Sequence, residues 1–411
     1  MDPGLQERIT AATMDSVYNN TKQVWKLLTC PNRKIRYVCQ VEHPVPKAHN
    51  NSNHEFKSFF QVWRKSGETC PEGTVAIRRT TEQDILRAGS VRKFRREVIR
   101  YQSVGDDVEW AMAYLDGGKY KGAAADVNVW APRVSDNQEF SAAQIYVGAA
   151  TNDQDANTLQ AGWIAAPSLF GDSWPRLFSY WTTDASRSTG CFNLFCPGYI
   201  HTSPSVAIGA RITTLSTYGG VQHDGYYEIR QKSNDGPERE ACATPGKDLG
   251  ALNSLVPKNR PHKVRRLKRA LLYPRGRSGQ SDMDNERWVL RFPSANNEIG
   301  YWPMSLFTHL NKAPATKLEY GGTVRNKKTN GVHTGTQMGS GHFAEEGFGK
   351  AAHISNIKMA DDSNFGIPYS AGLLQTSAKS SNCYNVQFTP NDKRWGSYIY
   401  YGGPGKNNNC P

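Results

Sequence analysis

From about Gly105 onward the chain is a succession of short runs in which apolar and polar residues alternate. Asp126-Val-Asn-Val-Trp130 puts Val127 and Val129 on one face, and Ile208, Ala210 and Ile212 repeat the same period. A two-residue period is that of a strand, whose successive side chains point to opposite faces. Further segments of this kind are Glu109–Leu115, Phe140–Val147, Leu177–Trp181, Tyr226–Ile229 and Trp288–Phe292. Leu318–Val324, Ile354–Met359, Tyr384–Phe388 and Ser397–Tyr401 complete the set. Clusters of Gly, Pro, Asn and Asp punctuate them, as turns require. Many short strands without helical periods between them predict a mostly β protein, an antiparallel β-sandwich of two packed sheets.

Two regions depart from this pattern. Residues 1–104 carry few alternating runs, and Glu82–Arg100 (EQDILRAGSVRKFRREVIR) is read as a short basic helix. The segment from about Lys232 to Glu286 is polar, then strongly basic, and rich in Pro and Gly. It interrupts what reads as a hairpin between Tyr227-Glu-Ile229 and Trp288-Val-Leu290, so it is expected to be a surface insertion, which costs little in loop-closure entropy. The organisation expected is a divergent segment 1–38, an irregular region 39–104, and a sandwich domain 105–411 interrupted at about 232–286.

The net charge of +13 raises the possibility of a nucleic-acid partner. However, nine of those excess cations lie in one acid-free stretch, from Lys258 through Arg260, Lys263, Arg265, Arg266, Lys268, Arg269 and Arg275 to Arg277. The basicity belongs to the insertion rather than to a face of the fold, and no nucleic acid is expected as a partner. No run approaches the roughly 18 apolar residues of a membrane span, so no membrane is expected either. Eight cysteines include no CxxC pair and no His–Cys cluster of zinc-finger spacing. They read as disulfides of an oxidising compartment, with no metal and no cofactor expected. Asn19-Asn20-Thr21 and Asn50-Asn51-Ser52 are glycosylation sequons. The first residues, MDPGLQERITAATMDSV, nevertheless lack the apolar core of a secretory signal.

Several segments resemble the neprosin family of plant glutamic peptidases, in order and spacing. Thr69-Cys70-Pro-Glu-Gly-Thr-Val-Ala-Ile-Arg-Arg-Thr80 is similar to the end of its activation peptide. Tyr120–Trp130 is similar to the start of its catalytic domain. The stretch Asn157–Cys196, Gly300-Tyr-Trp-Pro-Met-Ser-Leu-Phe307, Leu318-Glu-Tyr-Gly-Gly322, His333–Phe348 and Tyr400–Pro411 follow. The resemblance covers about Cys70 to Pro411 apart from the insertion, and it makes 39–104 an activation-peptide-like region. It implies a secreted zymogen whose catalytic domain cleaves peptide bonds, proline-directed and in acid, with two glutamates and water. One glutamate falls on Glu319. The other position holds Gln160. The resemblance also implies disulfides Cys191–Cys196 and Cys383–Cys410, and a pairing of Cys39 with Cys70. Cys30 and Cys242 have no implied partner.

The residues themselves make that pair plausible chemistry. In Leu159-Gln-Ala-Gly-Trp163 the strand period puts Gln160 and Gly162 on one face, and Glu319 and Gly321 share a face likewise. Each glycine is expected to leave open space in which a substrate backbone approaches. Amide hydrolysis needs a base for water, a donor for the oxyanion and an acid for the leaving nitrogen. Two carboxylates can share a proton for this. With Gln160, Glu319 is the only carboxylate, while the amide NH₂ is a permanent donor. The expected function is a glutamic endopeptidase with a Gln160/Glu319 pair, a monomer acting on peptide or protein substrates. The alternative is a catalytically silent relative that binds peptides or cell-wall glycans. Trp163, Tyr180 and Trp302 are the aromatic residues expected to line the cleft. Glu345 and Glu346, adjacent in sequence, are not expected to form a dyad, and His333 and His342 are read as structural.

Overall fold

A computed structural model describes residues 27–28, 37–41, 74–78, 80–90, 94, 107–152, 154–203, 206–232, 286–292, 298–311, 313–361, 365–368 and 374–411. Most of them fall in two antiparallel sheets stacked face to face. The seven-stranded sheet contains β4 (Val108–Tyr120), β6 (Phe140–Ala149), β7 (Asn157–Ala165), β8 (Arg176–Thr182), β9 (Cys191–Phe192), β14 (Ala315–Arg325) and β17 (Gln375–Ala378), in the order β17-β4-β14-β6-β7-β8-β9. The nine-stranded sheet contains β5 (Gly122–Asn128), β10 (Ile200–His201), β11 (Asp224–Lys232), β12 (Arg287–Arg291), β13 (Glu298–Pro303), β15 (Ala352–Ala360), β16 (Phe365–Pro368), β18 (Asn385–Asp392) and β19 (Gly396–Gly402). Its order is β10-β13-β12-β11-β5-β15-β19-β18, with β16 also pairing β15. Three strands of the N-terminal region, β1 (Leu27–Leu28), β2 (Tyr37–Val41) and β3 (Thr74–Arg78), form a small separate sheet. The expected sandwich is therefore the observed one, down to most of the individual strands.

The core lies between the two large sheets and is built from the apolar phase of each strand. Leu159, Ala161 and Trp163 of β7, Ala125 and Val127 of β5, and Tyr227 and Ile229 of β11 are all fully buried. Two aromatic side chains also fasten one sheet to the other by hydrogen bonds. The Trp163 indole donates to the Asn128 carbonyl of β5 at 2.8 Å, and the Tyr320 hydroxyl of β14 donates to the Lys358 carbonyl of β15 at 2.9 Å. Buried indole and phenol groups need such partners, because an unpaired one costs about 1–3 kcal/mol. Strands β11 and β12 pair from Glu228↔Arg291 to Lys232↔Arg287, which is the hairpin that the insertion was expected to interrupt. The insertion's basic residues, and Cys242 with them, lie outside the described residues.

Two readings of the sequence need correction. Ile208, Ala210 and Ile212 are buried as their alternation requires, yet they form no strand. Gly209 adopts a left-handed φ of 82°, and the segment meets the start of β8 through the bridge Arg176↔Arg211 and hydrogen bonds of Leu177 with Gly209 and Ala210. Alternation records burial on one side, and here a loop supplies it without a ladder. Of the helix read over Glu82–Arg100, Glu82–Ala88 is observed as α1, and Phe94 is helical again beyond it, its amide donating to the Ser90 carbonyl at 2.9 Å; the other residues from 91 to 100 lie outside the described ones. Thr81 and Asp84 close a capping box at its start, and Gly89 in the left-handed conformation ends it. Ile85 and Ala88 are its buried face. The helix meets a single helical turn, α2 (Pro167–Phe170), that follows β7.

Candidate active site

The register of the seven-stranded sheet builds the candidate site. Leu159, Ala161 and Trp163 occupy the core side of β7, which sends Gln160 and Gly162 to the sheet's outer face. Tyr320 likewise faces the core from β14, which sends Glu319 and Gly321 outward. Gln160 pairs directly with Tyr146 of β6, and Tyr146 pairs directly with Glu319 of β14. Directly opposed residues share a face. One outward row therefore reads Tyr114, Glu319, Tyr146, Gln160, Tyr180, Phe192. Glu319 and Gln160 flank Tyr146, their backbones two strand spacings apart, or about 10 Å.

The electrostatics of the row are uneven. Glu319 accepts from the Lys317 ammonium at 2.7 Å, and its side chain is 16% exposed. Burial works against the charged form of Lys317, but the Glu319 carboxylate beside it prevails and raises its pKa. Burial also pushes the Tyr146 phenol well above its ordinary range, and the negative charges of Glu319 and Asp116 push it further. Tyr146 therefore keeps its proton and remains a hydrogen-bond donor between the other two groups. Gln160 is 7% exposed, and its Oε1 is buried with no hydrogen-bond partner among the described residues. Leaving such a group unpaired costs about 1–3 kcal/mol.

The glycines do something other than expected. A Cβ on Gly162 would come within 1.9 Å of the Ala143 carbonyl oxygen, and one on Gly321 within 2.3 Å of the Ala111 carbonyl oxygen. The space beside each polar residue is thus taken up by the close approach of the neighbouring strand. Both glycines flank Gln144, in the row Met112, Gly321, Gln144, Gly162, Phe178. Gln144 is 6% exposed and donates to the Thr323 hydroxyl at 3.4 Å. Gly148, in turn, makes room for the Tyr146 ring, whose atoms would lie 2.5 Å from a Cβ there.

Of the aromatic residues expected to line the cleft, only Tyr180 shares this face. It is fully buried next to Gln160 in the row and donates to the Ser186 hydroxyl at 2.7 Å. Trp163 is one residue out of phase and belongs to the core between the sheets. Trp302 sits in β13 of the other sheet, fully buried, with its ring 4.9 Å from Tyr199. Tyr146 and Lys317 were not singled out from the sequence. The signal for Tyr146 was the outward phase Gln144, Tyr146, Gly148, which repeats the polar-then-glycine pattern of the other two strands.

The remaining groups have local roles. Disulfides join Cys191 to Cys196 and Cys383 to Cys410. Cys70 and the side chain of Cys39 lie outside the described residues. His333 Nε2 lies 3.0 Å from the fully buried Glu109 carboxylate, which also holds Lys328 and Ser380. His333 lies beside Cys383 and Cys410, but their sulfurs are bonded to each other and offer no thiolate to a metal. Glu345 and Glu346 lie in a 3₁₀ turn and bind different partners, Asn385 and His342 respectively, so they form no dyad.

A two-sheet sandwich bearing an outward row of carboxylate, phenol and amide is the class of protein that fold and site define. The chain belongs to the neprosin family. The Neprosin model matches residues 137–237 and 278–404, and the Neprosin activation peptide model matches residues 13–114. The activation-peptide match begins well before Cys39, within the segment read as divergent. The interval between the two Neprosin blocks falls inside the segment read as an insertion. The family match supports a peptidase, which acts on peptide substrates. The disulfides and the family together point to an extracellular protein, and no described helix is long and apolar enough to cross a membrane. Among solved structures, the chain is similar to the crystal structure of Scytalido-glutamic peptidase with a peptide based transition state analog. The two are 9% identical with a TM-score of 0.33, and the match covers 72% of this chain and 98% of that one.

Proposed function

We propose that this protein is a secreted glutamic endopeptidase, made as a zymogen, that cleaves proline-containing peptides in acid with Glu319 and Gln160. The observation that carries the reading is the register that sets these two side chains on one outer face, on either side of Tyr146. Glu319, held by Lys317, takes a proton from the attacking water. The amide NH₂ of Gln160 donates to the oxyanion of the tetrahedral intermediate, and the Tyr146 hydroxyl is a second donor within the same row. The protonated Glu319 then returns its proton to the leaving nitrogen. The buried Gln160 Oε1 without a partner fits a group held ready for a substrate N–H.

The test is turnover of proline-containing peptides between pH 2 and 7 by residues 105–411, for the native sequence, Glu319→Gln and Gln160→Glu. The proposal expects turnover in the native protein and none in Glu319→Gln. Activity that survives Glu319→Gln would place the site elsewhere. A native protein that is inert and is rescued by Gln160→Glu would show a silent relative. The substitution of Gln for the second carboxylate is the one observation that favours that second reading.

A further inference from the structure

The catalytic row does not end at Gln160. Its next members are Tyr180 and Phe192, and Phe192 opens an aromatic cluster on the same side of the sheet. Phe178 stacks on Phe192 at 5.3 Å with an interplanar angle of 4°. Phe195 lies 6.5 Å from Phe192, and Phe170 lies 6.2 Å from Phe195. The Cys191–Cys196 disulfide pins the short loop that carries Phe192 and Phe195. This cluster is where the activation region docks. α1 packs on α2, and the Arg78 guanidinium lies 5.2 Å from the Phe170 ring. Arg78 and Arg87 both hold the buried Asp84, at 3.1 Å and 2.7 Å. Six residues after Ala88, the helical Phe94 is 5% exposed and meets Phe195 edge-on, with centroids 5.3 Å apart.

We infer that Phe94 occupies a subsite of the peptidase, and that in the mature enzyme Phe170, Phe192 and Phe195 receive a large apolar or aromatic side chain of the peptide substrate. The inference rests on the peptidase reading above. A ring pressed edge-on against a wall of phenylalanines is what such a pocket selects, and an aromatic side chain gains there both burial and ring contact. Phe192 is two strand spacings from Gln160, about 10 Å, which an extended peptide covers in about three residues. The selected side chain therefore sits about three residues from the scissile bond. The activation region then does more than cover the sheet edge, because it fills a specificity pocket with a residue of the kind that pocket binds.

The test uses the full chain and reads binding, so it does not depend on turnover. Two fluorescent proline peptides are compared that differ only in Phe or Ala three residues from the proline, on the native chain and on Phe94→Ala. Phe94→Ala is expected to bind the Phe peptide about tenfold tighter than the Ala peptide. The native chain, with Phe94 in place, is expected to show no preference, and adding Phe195→Ala to Phe94→Ala is expected to abolish it. Equal binding of both peptides by a folded Phe94→Ala chain would overturn the inference, as would a preference that persists without Phe195. If Phe94→Ala does not fold, Phe94→Leu carries the same comparison with a smaller expected ratio. Discrimination retained in Phe94→Ala/Glu319→Gln supports the subsite whatever becomes of the hydrolysis. A full chain that discriminates, together with residues 105–411 that never cleave, would overturn the peptidase reading alone.

Discussion

The outer faces of the two sheets invite opposite guesses about where the chemistry lies. The nine-stranded sheet presents more acid: Asp126 of β5 and Asp224 and Glu228 of β11 all point outward. Burial raises the pKa of Asp126, with a smaller contribution from nearby Asp224, and perturbed carboxyls of this kind often mark active sites. Yet each acid there has at least one partner, although Glu228 Oε1 accepts no hydrogen bond among the described residues. Asn356 donates to Asp126 at 3.2 Å, His353 lies 3.0 Å from Asp224, and Glu228 holds Tyr226 and Arg291. The seven-stranded sheet presents a single carboxylate in the key row, beside an amide with a buried acceptor that nothing satisfies. Carboxylate number is thus a poor guide. The informative feature is the register that puts a carboxylate and an amide in one outward row, on either side of a phenol.

The sharpest way to break this contrast is to neutralise one carboxylate on each face. Glu319→Gln is expected to lower kcat by about 10³-fold or more, and Asp126→Asn to leave it within a factor of a few. Peptide turnover between pH 2 and 7 reads both, and the reverse outcome would move the site to the other sheet. The two disulfides extend the comparison to stability. Cys383–Cys410, beside β18, closes a separation of 27 residues, whereas Cys191–Cys196, at β9, closes only 5. Loop-closure entropy predicts losses of about 3.5 and about 2 kcal/mol for the respective double Cys→Ala variants, measured by denaturant midpoints.

A third difference is in response to acid. Burial holds the His201 imidazole of β10 at about 4, below its ordinary value, so the folded chain stays unprotonated there while the unfolded chain binds a proton. The stabilisation is fully present above about pH 6.5 and is lost as pH falls toward 4, on the order of 3 kcal/mol. His201→Gln, which cannot titrate, is expected to lack that slope in urea unfolding between pH 7 and 4. Gln160→Ala is expected to lower kcat by about 10²-fold, the size of one lost oxyanion donor. A change in KM alone would make Gln160 a binding group and leave Glu319 to act without it.

Much of the fold was legible because strand periodicity is a local property. Val127 and Val129, or Leu159 and Trp163, declare their faces within a few residues, and the sandwich follows from many such runs. Ile208–Ile212 shows the limit: its alternation was real, but it touches only the first residues of β8, and the turn at Gly209 stops that contact from extending into a strand. The helix over Glu82–Ala88 shows another, because Gly89 interrupts a run that is helical again at Phe94. At the site, Gln160 and Glu319 were reached through the resemblance, and their outward phase was readable from their own strands. Tyr146 was not reached, because nothing local to β6 says that it will stand between strands eleven and more residues away in sequence.

The sequence by itself determined the class of fold, the family and the identity of the two polar residues, since each is written in short-range pattern and motif order. The tertiary structure alone decided that Glu319 and Gln160 belong to one row, that Trp163 and Trp302 do not face it, and that Phe94 packs on the aromatic end of that row. The physical reason is register. A shift of one residue in any pairing would turn Gln160 or Glu319 into the core, and only the packing of the whole sheet excludes that shift.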